Sequence, residues 1–364
     1  MGNSTQGHQG NIKQRPEDFC VDEIPLYAPS GEGEHLYLGI QKTNVSHDEM
    51  VIRLAKAFKV SKRSIGTAGR KDRLAVTTQV VSIHLPTQSK QIPELDEGLH
   101  ILWNAQHNNK LRLGHLIGNR FDIRIRGIDS IKVTSLNDKF VQLKNEGMPN
   151  AYGPQRFGNR QNNHLVGLAY LKQDWQEMQR VLDVPKGMDS LSPEAACKLI
   201  HKSKIILYVQ ALQSYLFNQV LEARLKDGSW CSCHVGDLAW SHVGKGSSFL
   251  VTKEELQTKD IQERTQQLLL SPTGPMWGLK MRMPEGEIAT LEESLLEESE
   301  LSLTDFASVK HIAKGARRPL RVPIEQTSIS GGVDEHGDFI RVQFELPSGS
   351  YATVLVDELL SVLS

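Results

Sequence analysis

The chain begins and ends in segments typical of β-strands, whereas its middle is mostly helical. Strand-like runs occur early, at "EDFCVDEI", "HLYLGIQK" and "AVTTQVVSIHL", and again near the end, where "FIRVQFELPSGSYATVLVDELL" closes in a short helix. From about Gln173 the pattern changes, and "SKIILYVQALQSYLFNQVLEARL" predicts a long helix that is apolar nearly all round and therefore buried. We therefore predict an α+β fold in which a discontinuous domain, residues 1–174 and 318–364, is interrupted by an inserted domain, residues 175–317.

Three local patterns give finer predictions. The first two strand-like runs flank the turn-rich stretch "APSGEGE" and predict a hairpin. Ser46 with Glu49 three residues later is a capping-box signature for the start of a helix. The segment "LRLGHLIGNRFDIRIRGI" predicts two short strands around Gly114 and Gly118.

The charge of the chain is balanced overall but segregated locally. The formal net charge of −1 gives no global field for nucleic acid. Residues 51–74 nevertheless hold eight basic residues and one acid, whereas residues 285–305 hold eight acids and no Lys or Arg. This separation predicts a polyanion-binding face in the first segment and a solvated helix in the second.

The cysteines and the N-terminus indicate a cytoplasmic protein. The four cysteines are Cys20 and Cys197, each isolated, and Cys231 and Cys233, only two apart, so we expect reduced thiols rather than a disulfide framework. "CSCH" lacks a second ligand pair at a suitable spacing, so we expect no metal site there. No apolar signal region or membrane-length apolar run is present, so we expect no contact with a membrane.

The stretch "GTAGRKDRLAVTTQ" places one carboxylate among three cations. Asp72 follows Arg70 and Lys71 and precedes Arg73, just before a strand-like run. Nearby cations favour the ionised form of a carboxyl group. If the flanks are extended, the neighbouring side chains point away, and Asp72 pairs with a distant Lys or Arg instead. A solvated surface turn is the alternative interpretation.

The segment "GMPNAYGPQRFGNRQNN" has the composition of a functional loop. It combines two aromatics, Tyr152 and Phe157, with Asn150, Gln155 and Arg156. A splayed-out base needs such residues, because rings stack on it, an amide reads its edge and an Arg meets phosphate. The alternative is an ordered loop that packs its aromatics into the core.

Taken together, six segments resemble the TruD family of tRNA pseudouridine synthases. The nucleophile motif of the family appears as "AGRKDRLAVTTQ", and its asparagine motif appears as "PNAYGPQRFG". The other matches are "LPSGSYAT", the N-terminal "KQRPEDFCVDE", "KLRLGHLIGN" and "QSYLFNQVLEARL". The six matches occur in order and cover nearly the whole chain.

The resemblance implies a fold, a reaction and a set of site residues. The fold would be a pseudouridine synthase domain, a mixed and largely antiparallel sheet with flanking helices, carrying an inserted α+β TRUD domain. The reaction would convert a uridine in the D-stem of tRNA, at position 13, to pseudouridine. The implied roles are Asp72 as nucleophile, Lys13 as support for the site, and contacts to the target nucleotide from Phe19, Asn150, Tyr152 and Tyr351.

The chain departs from the family pattern at two places. Ala151 follows the asparagine of the second motif where the family often has an aromatic, and the stacking ring would be Tyr152 rather than Phe. Stacking survives that change, although a buried hydroxyl needs a partner. Asp357 stands where the family commonly has Arg, so another cation would have to position the nucleophile.

Pseudouridine formation breaks the N1–C1′ bond, turns the base and joins C5 to C1′, so that we expect neither cofactor nor metal. Asp72 could attack the ribose as a nucleophile or remove a sugar proton to leave a glycal-like intermediate, and the sequence leaves both routes open. Extruding the uridine costs a few kcal/mol, which phosphate contacts would offset. We expect the tRNA phosphates to be contacted by Arg53, Lys59, Lys62, Arg63 and Arg156. We also expect the protein to be a monomer.

Two other functions fit parts of the same pattern. A non-catalytic protein that binds or folds RNA would share the basic face and the aromatics but would not need Asp72. A nucleoside or glycoside hydrolase would use Asp72 but would usually need a second, well-placed carboxylate, and the sequence offers no obvious partner.

Overall fold

A computed structural model describes residues 10–85, 92–182, 192–244 and 246–363. The chain divides into two compact units, the first formed by Met1–Lys144 with Ile324–Ser364 and the second by Asn145–Pro323. The first unit therefore joins the two ends of the chain. The predicted insertion, residues 175–317, falls within the second unit, which also takes in residues 145–174 and 318–323. Its assignment as a family-specific domain stays a prediction.

The strands are numbered along the chain. They are β1 Phe19–Pro25, β2 His35–Thr43, β3 Ile65–Thr67, β4 Val76–His84, β5 Leu99–His107, β6 Leu116–Arg126, β7 Met148–Pro149, β8 Leu238–Ser241, β9 Ser247–Leu250, β10 Leu270–Met276, β11 Ala316–Pro319, β12 Arg321–Val322, β13 Glu325–Asp334 and β14 Gly337–Pro347.

The helices are numbered in the same way. They are α1 His47–Ala57, α2 Val133–Glu146, α3 Asn163–Leu171, α4 Trp175–Leu182, α5 Pro193–Lys198, α6 Lys202–Lys226, α7 Lys253–Leu256, α8 Lys259–Gln266, α9 Gly286–Glu298 and α10 Ala352–Leu360.

The first unit is built on one mixed sheet of eight strands. Seven strands follow the order β13-β14-β6-β1-β4-β2-β5, and β3 pairs with β4. The pairing of β1 with β4 is parallel, and the other pairings in this sheet are antiparallel. The predicted mixed, largely antiparallel sheet is confirmed.

The predicted hairpin of β1 and β2 is wrong. β4 lies between the two strands and pairs with both, in parallel to β1 and antiparallel to β2. The first two strands of the chain therefore meet through a third strand that is more distant in sequence. Because β1 and β4 are parallel, the segments that precede them lie at the same end of the two strands.

The helix predicted at Ser46 is present as α1. Ser46 is the N-cap, and its hydroxyl accepts a hydrogen bond from the Glu49 backbone N–H at 3.2 Å. Met50 and Leu54 are fully buried and pack with the apolar face of β2 and β4. The helix is therefore fixed on the sheet through one stripe, and its opposite side exposes Asp48, Ile52 and Lys56.

The second unit has its own core around the predicted long helix, α6. α3 packs along α6 at Gly167, where an added Cβ would lie 2.2 Å from the Tyr208 carbonyl oxygen. A four-stranded sheet of order β11-β10-β8-β9 and a two-stranded β12-β7 pair complete the unit. The predicted burial of α6 is confirmed, with Val209, Leu216 and Phe217 almost inaccessible to solvent.

The acidic helix α9 is only partly solvated, contrary to the prediction. Glu292 is 1% exposed and accepts two hydrogen bonds from the Arg317 guanidinium, at 2.6 and 2.7 Å. Burial raises the pKa of Glu292, and Arg317 opposes that rise. Glu292, one of the eight acids in residues 285–305, is therefore part of the buried interior of the second unit.

The four cysteines are free thiols. Within the described residues, no group of three or more His, Cys, Asp or Glu side chains is arranged to hold a metal ion. Among the same residues, no helix combines the length and apolar character needed to cross a membrane.

Candidate active site

The parallel pairing of β1 with β4 brings two distant segments together. Cys20 of β1 lies opposite Val76 of β4. The segment before β1 contains Lys13, and the segment before β4 contains Asp72. Because both strands run in the same direction, the two segments arrive at the same end of the pair.

Lys13, Asp72 and Phe19 form a compact cluster in the first unit. The Lys13 Nζ lies 2.5 Å from Asp72 Oδ2 and 4.1 Å from the centre of the Phe19 ring. The Lys13 side chain is 7% exposed, whereas that of Asp72 is 43% exposed. The cation is thus buried beneath a carboxylate that remains accessible to solvent, and a cation at this distance favours the ionised form of a carboxyl group.

Lys13 has an unusual backbone conformation. Its φ of +58° lies in the left-handed region, which is uncommon for residues other than glycine. Such conformations persist only where the surroundings fix them, and they concentrate at functional sites. In this chain the ion pair with Asp72 and the contact with Phe19 hold the side chain in place.

A second buried lysine fixes the backbone under Asp72. The Lys42 Nζ donates to the Asp72 carbonyl oxygen at 2.5 Å and to the Val45 carbonyl oxygen at 2.8 Å. Lys42 is fully buried, and this burial lowers its pKa to about 8, with Asp72 acting in the opposite direction. The loop carrying the carboxylate is therefore tied to β2 through its main chain.

Two of the three flanking cations, Lys71 and Arg70, pair with other carboxylates. Lys71 forms an ion pair with buried Glu23 of β1 at 3.1 Å and also donates to Asn119 of β6. Arg70 pairs with Asp48 at 2.8 Å on the exposed side of α1. The expectation that Asp72 would pair with a distant Lys or Arg is met by Lys13.

Tyr351 occupies the start of α10, in the same unit. It is the N-cap residue, with an extended backbone, and is partly buried. The preceding strand, β14, pairs with β6, where Leu346 lies opposite Asn119. Tyr351 is therefore positioned by the strand that borders β6, which in turn pairs with β1.

Asn150 lies in the second unit and is 2% exposed. Its amide donates to the Pro319 carbonyl oxygen at 2.9 Å, and its Oδ1 accepts from the Arg318 guanidinium at 2.6 Å. Its backbone N–H donates to the Leu320 carbonyl oxygen at 2.8 Å. The side chain is thus fixed in one orientation.

Tyr152 is held beside it in the same unit. Its backbone N–H and carbonyl exchange hydrogen bonds with the Asn218 amide, at 2.9 and 3.0 Å. The Arg318 guanidinium carbon lies 4.2 Å from the centre of the Tyr152 ring, and Phe217 meets the ring edge-on at 5.7 Å. Its hydroxyl donates to the Met276 sulfur at 3.4 Å, so the added hydroxyl has a partner.

The five predicted phosphate-binding cations differ in solvent exposure and in hydrogen-bond partners. Lys59, Lys62 and Arg63 are exposed around the end of α1 and the turn that follows it. Arg53 is half-buried, pairs with Glu49 and donates to the Glu97 carbonyl oxygen. Arg156 of the second unit donates to the Ser214 hydroxyl at 2.9 Å. The phosphate roles of all five stay predictions.

Sequence reasoning missed two of the positioning residues. Lys42 could have been found from the sequence, because it follows Leu38 and Ile40 at alternate positions of a strand. These positions form one buried face, on which a lysine needs a partner. Nothing in the sequence indicates the role of Arg318, because it contacts Asn150 from 168 residues away.

The first unit therefore has the form of an enzyme built on a mixed sheet, with an accessible carboxylate backed by a buried ammonium and an aromatic ring. The family model "tRNA pseudouridine synthase D (TruD)" matches residues 2–194 and 188–359. The chain belongs to the TruD family of tRNA pseudouridine synthases.

Relatives of similar length support this assignment. A tRNA pseudouridine synthase D from Geobacter metallireducens is 36% identical, with 97% of this chain and 95% of the relative covered. The protein of the same name from Geobacter sulfurreducens is 37% identical, with 97% and 94% covered.

A solved structure has the same fold. The crystal structure of TruD from Methanosarcina mazei superposes with a TM-score of 0.78 over 99% of this chain and 95% of the other, at 24% identity. The predicted pseudouridine synthase fold is confirmed.

Proposed function

We propose that this protein isomerises one uridine of the tRNA D-stem, at position 13, to pseudouridine, with Asp72 as the catalytic carboxylate. Its membership of the TruD family supports the activity on tRNA. The observation that carries the role of Asp72 is its pairing with Lys13, in which the anion is accessible and the cation is buried. A solvated surface turn, the alternative interpretation, would not require a buried ammonium.

The reaction rearranges bonds without a net change in composition. The N1–C1′ bond breaks, the base rotates, C5 bonds to C1′, the hydrogen on C5 leaves as a proton, and N1 gains a proton. Asp72 stabilises the sugar during this exchange, either by bonding to it or by accepting a sugar proton. In both cases Lys13 acts as a preorganised charge that need not move during the reaction.

The target uridine has to leave its stack to reach Asp72. From the family motifs, we propose that Phe19, Tyr351, Asn150 and Tyr152 contact the extruded nucleotide. Asn150 is 2% exposed and held by hydrogen bonds to Pro319 and Arg318, so its proposed role in reading an edge of the base rests on the family motif. The Tyr152 ring, with its hydroxyl already bonded, supports a role in stacking.

The remaining proposals concern the surroundings of the reaction. The exposed cations Lys59, Lys62 and Arg63, together with Arg53 and Arg156, would contact tRNA phosphates. The protein would act as a monomer in the cytoplasm, where the four free thiols are stable. The bond changes consume no co-reactant, so we propose that no cofactor takes part.

The direct test replaces Asp72 with Asn, which keeps the shape of the side chain and removes its charge. We expect Asp72→Asn to abolish pseudouridine formation on an unmodified tRNA transcript, as measured by carbodiimide derivatisation and primer extension. Binding of the same transcript should stay within a few-fold of wild type. Turnover near the wild-type level would reject Asp72 as the catalytic group.

The same assay, together with chromatography of the reaction, separates the other two functions. A protein that only binds or folds RNA would give no derivatised uridine with the wild-type sequence. A hydrolase would release free uracil and leave an abasic site, both of which chromatography of the reaction detects.

A further inference from the structure

A surface pocket of the first unit, separate from Asp72, has the chemistry of a nucleotide-binding site. The cavity has a volume of about 500 Å³ and is lined by Tyr27, His107, Asn109, Lys110, Arg112 and His115, among others. Three of these residues come from the "KLRLGHLIGN" segment, which the proposed reaction does not use. The volume is within the range of small-ligand sites.

The aromatic wall of this pocket is rigid. The Tyr27 ring stacks on His107, with centres 5.2 Å apart and planes 26° apart, and meets His115 edge-on at 5.7 Å. The Tyr27 hydroxyl lies 2.9 Å from His115 Nδ1 and 3.3 Å from the Tyr37 hydroxyl. Tyr37 is buried and donates to the Asn109 carbonyl oxygen at 2.9 Å. These contacts orient the rings without a ligand, which lowers the entropy cost of stacking a base on them.

The rim of the pocket carries positive charge. The Lys110 Nζ donates to the Arg63 carbonyl oxygen at 2.5 Å, which joins the pocket to the turn that holds Lys62 and Arg63. Arg112 is exposed. Among the ion pairs of the described residues, none involves Lys62, Arg63, Lys110 or Arg112, so these cations remain available to an anion.

The pocket is too far from Asp72 to hold the reacting uridine. Tyr37, behind the pocket, and Lys42, behind Asp72, lie five positions apart on β2. At about 3.4 Å per residue, the strand separates them by about 17 Å. A base in this pocket therefore belongs to a different nucleotide from the one that reacts.

We propose that this pocket binds a second, unstacked nucleotide of the tRNA, with the base on Tyr27 and the phosphate on Arg112. The inference rests on the proposed function, because it takes tRNA as the ligand. Stacked aromatics beside unpaired cations are the combination by which proteins hold single-stranded nucleotides. The pocket would increase the affinity for tRNA and fix its position on the protein, and it would take no part in the reaction.

The test measures binding of an unmodified tRNA transcript by fluorescence anisotropy at several salt concentrations. We expect Tyr27→Leu to weaken binding about 10-fold, with Tyr27→Phe, which keeps the ring, within about 2-fold of wild type. We expect Arg112→Glu to weaken binding and to reduce the salt slope by about one. Lys132→Glu, the same charge change at an exposed site beside α2, is the matched control. Turnover at saturating tRNA should be unchanged in these variants.

The proposal is overturned if Tyr27→Leu and Arg112→Glu both bind tRNA within 2-fold of Lys132→Glu. If Tyr27→Leu does not fold, photo-crosslinking of a 4-thiouridine transcript to the wild-type protein replaces it, and absence of crosslinks to residues 27 and 107–115 counts against the pocket. The readout is binding rather than turnover, so failure of the pocket leaves the role of Asp72 intact. Failure of the wild-type protein to bind tRNA would instead reject the proposed function.

Discussion

At the scale of single residues, the site depends on a cation remote in sequence. Lys13 is 59 positions from Asp72, yet it forms an ion pair with it, whereas adjacent Arg70 and Lys71 pair with Asp48 and Glu23. Lys42 then fixes the main chain of the same residue. The charge next to the carboxylate and the position of its backbone are thus supplied by two different lysines.

We expect Lys13→Met to lower the rate of pseudouridine formation by about 100-fold, because the preorganised charge beside the carboxylate is lost. Binding of tRNA should change little. The matched control is Arg70→Met, since Arg70 adjoins Asp72 in sequence but pairs with Asp48. Single-turnover rates measure both variants, and equal losses in the two would show that Lys13 has no special role.

Lys42 predicts a specific pH dependence of stability. Its pKa is about 8 in the folded protein, against 10.5 ordinarily, so the unfolded chain binds more protons between these values. The free energy of unfolding of the wild type, relative to Lys42→Met, should therefore rise between pH 8 and 10.5. The rise is at most about 1.4 kcal/mol per pH unit. Denaturant titrations of both proteins at pH 7.5 and 9.5 measure this rise. If the difference in unfolding free energy between the two proteins is the same at both pH values, the lowered pKa of Lys42 is contradicted.

At the scale of elements, local signals predicted the helices better than the strand partners. Ser46 begins α1 as its capping signature indicates, and the apolar pattern of α6 gave its burial correctly. Strand pairing is non-local, however, so nothing within β1 and β2 indicates that β4 separates them. The sequence pointed to Asp72 and to the strand after it, but it did not show that β1 pairs in parallel with that strand.

Gly118 shows why a glycine can mislead. The sequence predicted short strands around Gly114 and Gly118, but Gly118 lies within the continuous strand β6. A Cβ at this position would lie 2.2 Å from the Leu346 carbonyl oxygen of β14. The glycine therefore allows close approach of two backbones rather than a break, which is the alternative meaning of glycine in a strand.

The basic end of α1 gives a prediction about tRNA binding. Lys59 and Lys62 are exposed, and the described ion pairs include neither of them. We expect Lys59→Glu combined with Lys62→Glu to raise the apparent Kd for tRNA and to reduce the salt slope by about 1.5, as expected for two lost phosphate contacts. Binding isotherms from low to moderate salt measure this change. A slope equal to that of wild type would remove this surface from the RNA interface.

At the scale of the whole molecule, the two units supply different parts of the proposed chemistry. The first unit holds the carboxylate, its buried ammonium and the basic end of α1, and it is assembled from both ends of the chain. The second holds Asn150 and Tyr152, fixed by Arg318 and Asn218. The substrate is proposed to be a tRNA rather than a nucleoside because the chain belongs to the TruD family.

The central claim is that Asp72 makes one pseudouridine in tRNA. The most direct measurement maps pseudouridine across total RNA from cells that lack the gene and are complemented with wild type or with Asp72→Asn at equal protein levels. We predict that one D-stem signal is lost with the gene, returns with wild type and stays absent with Asp72→Asn. Return of that signal with Asp72→Asn would contradict the account.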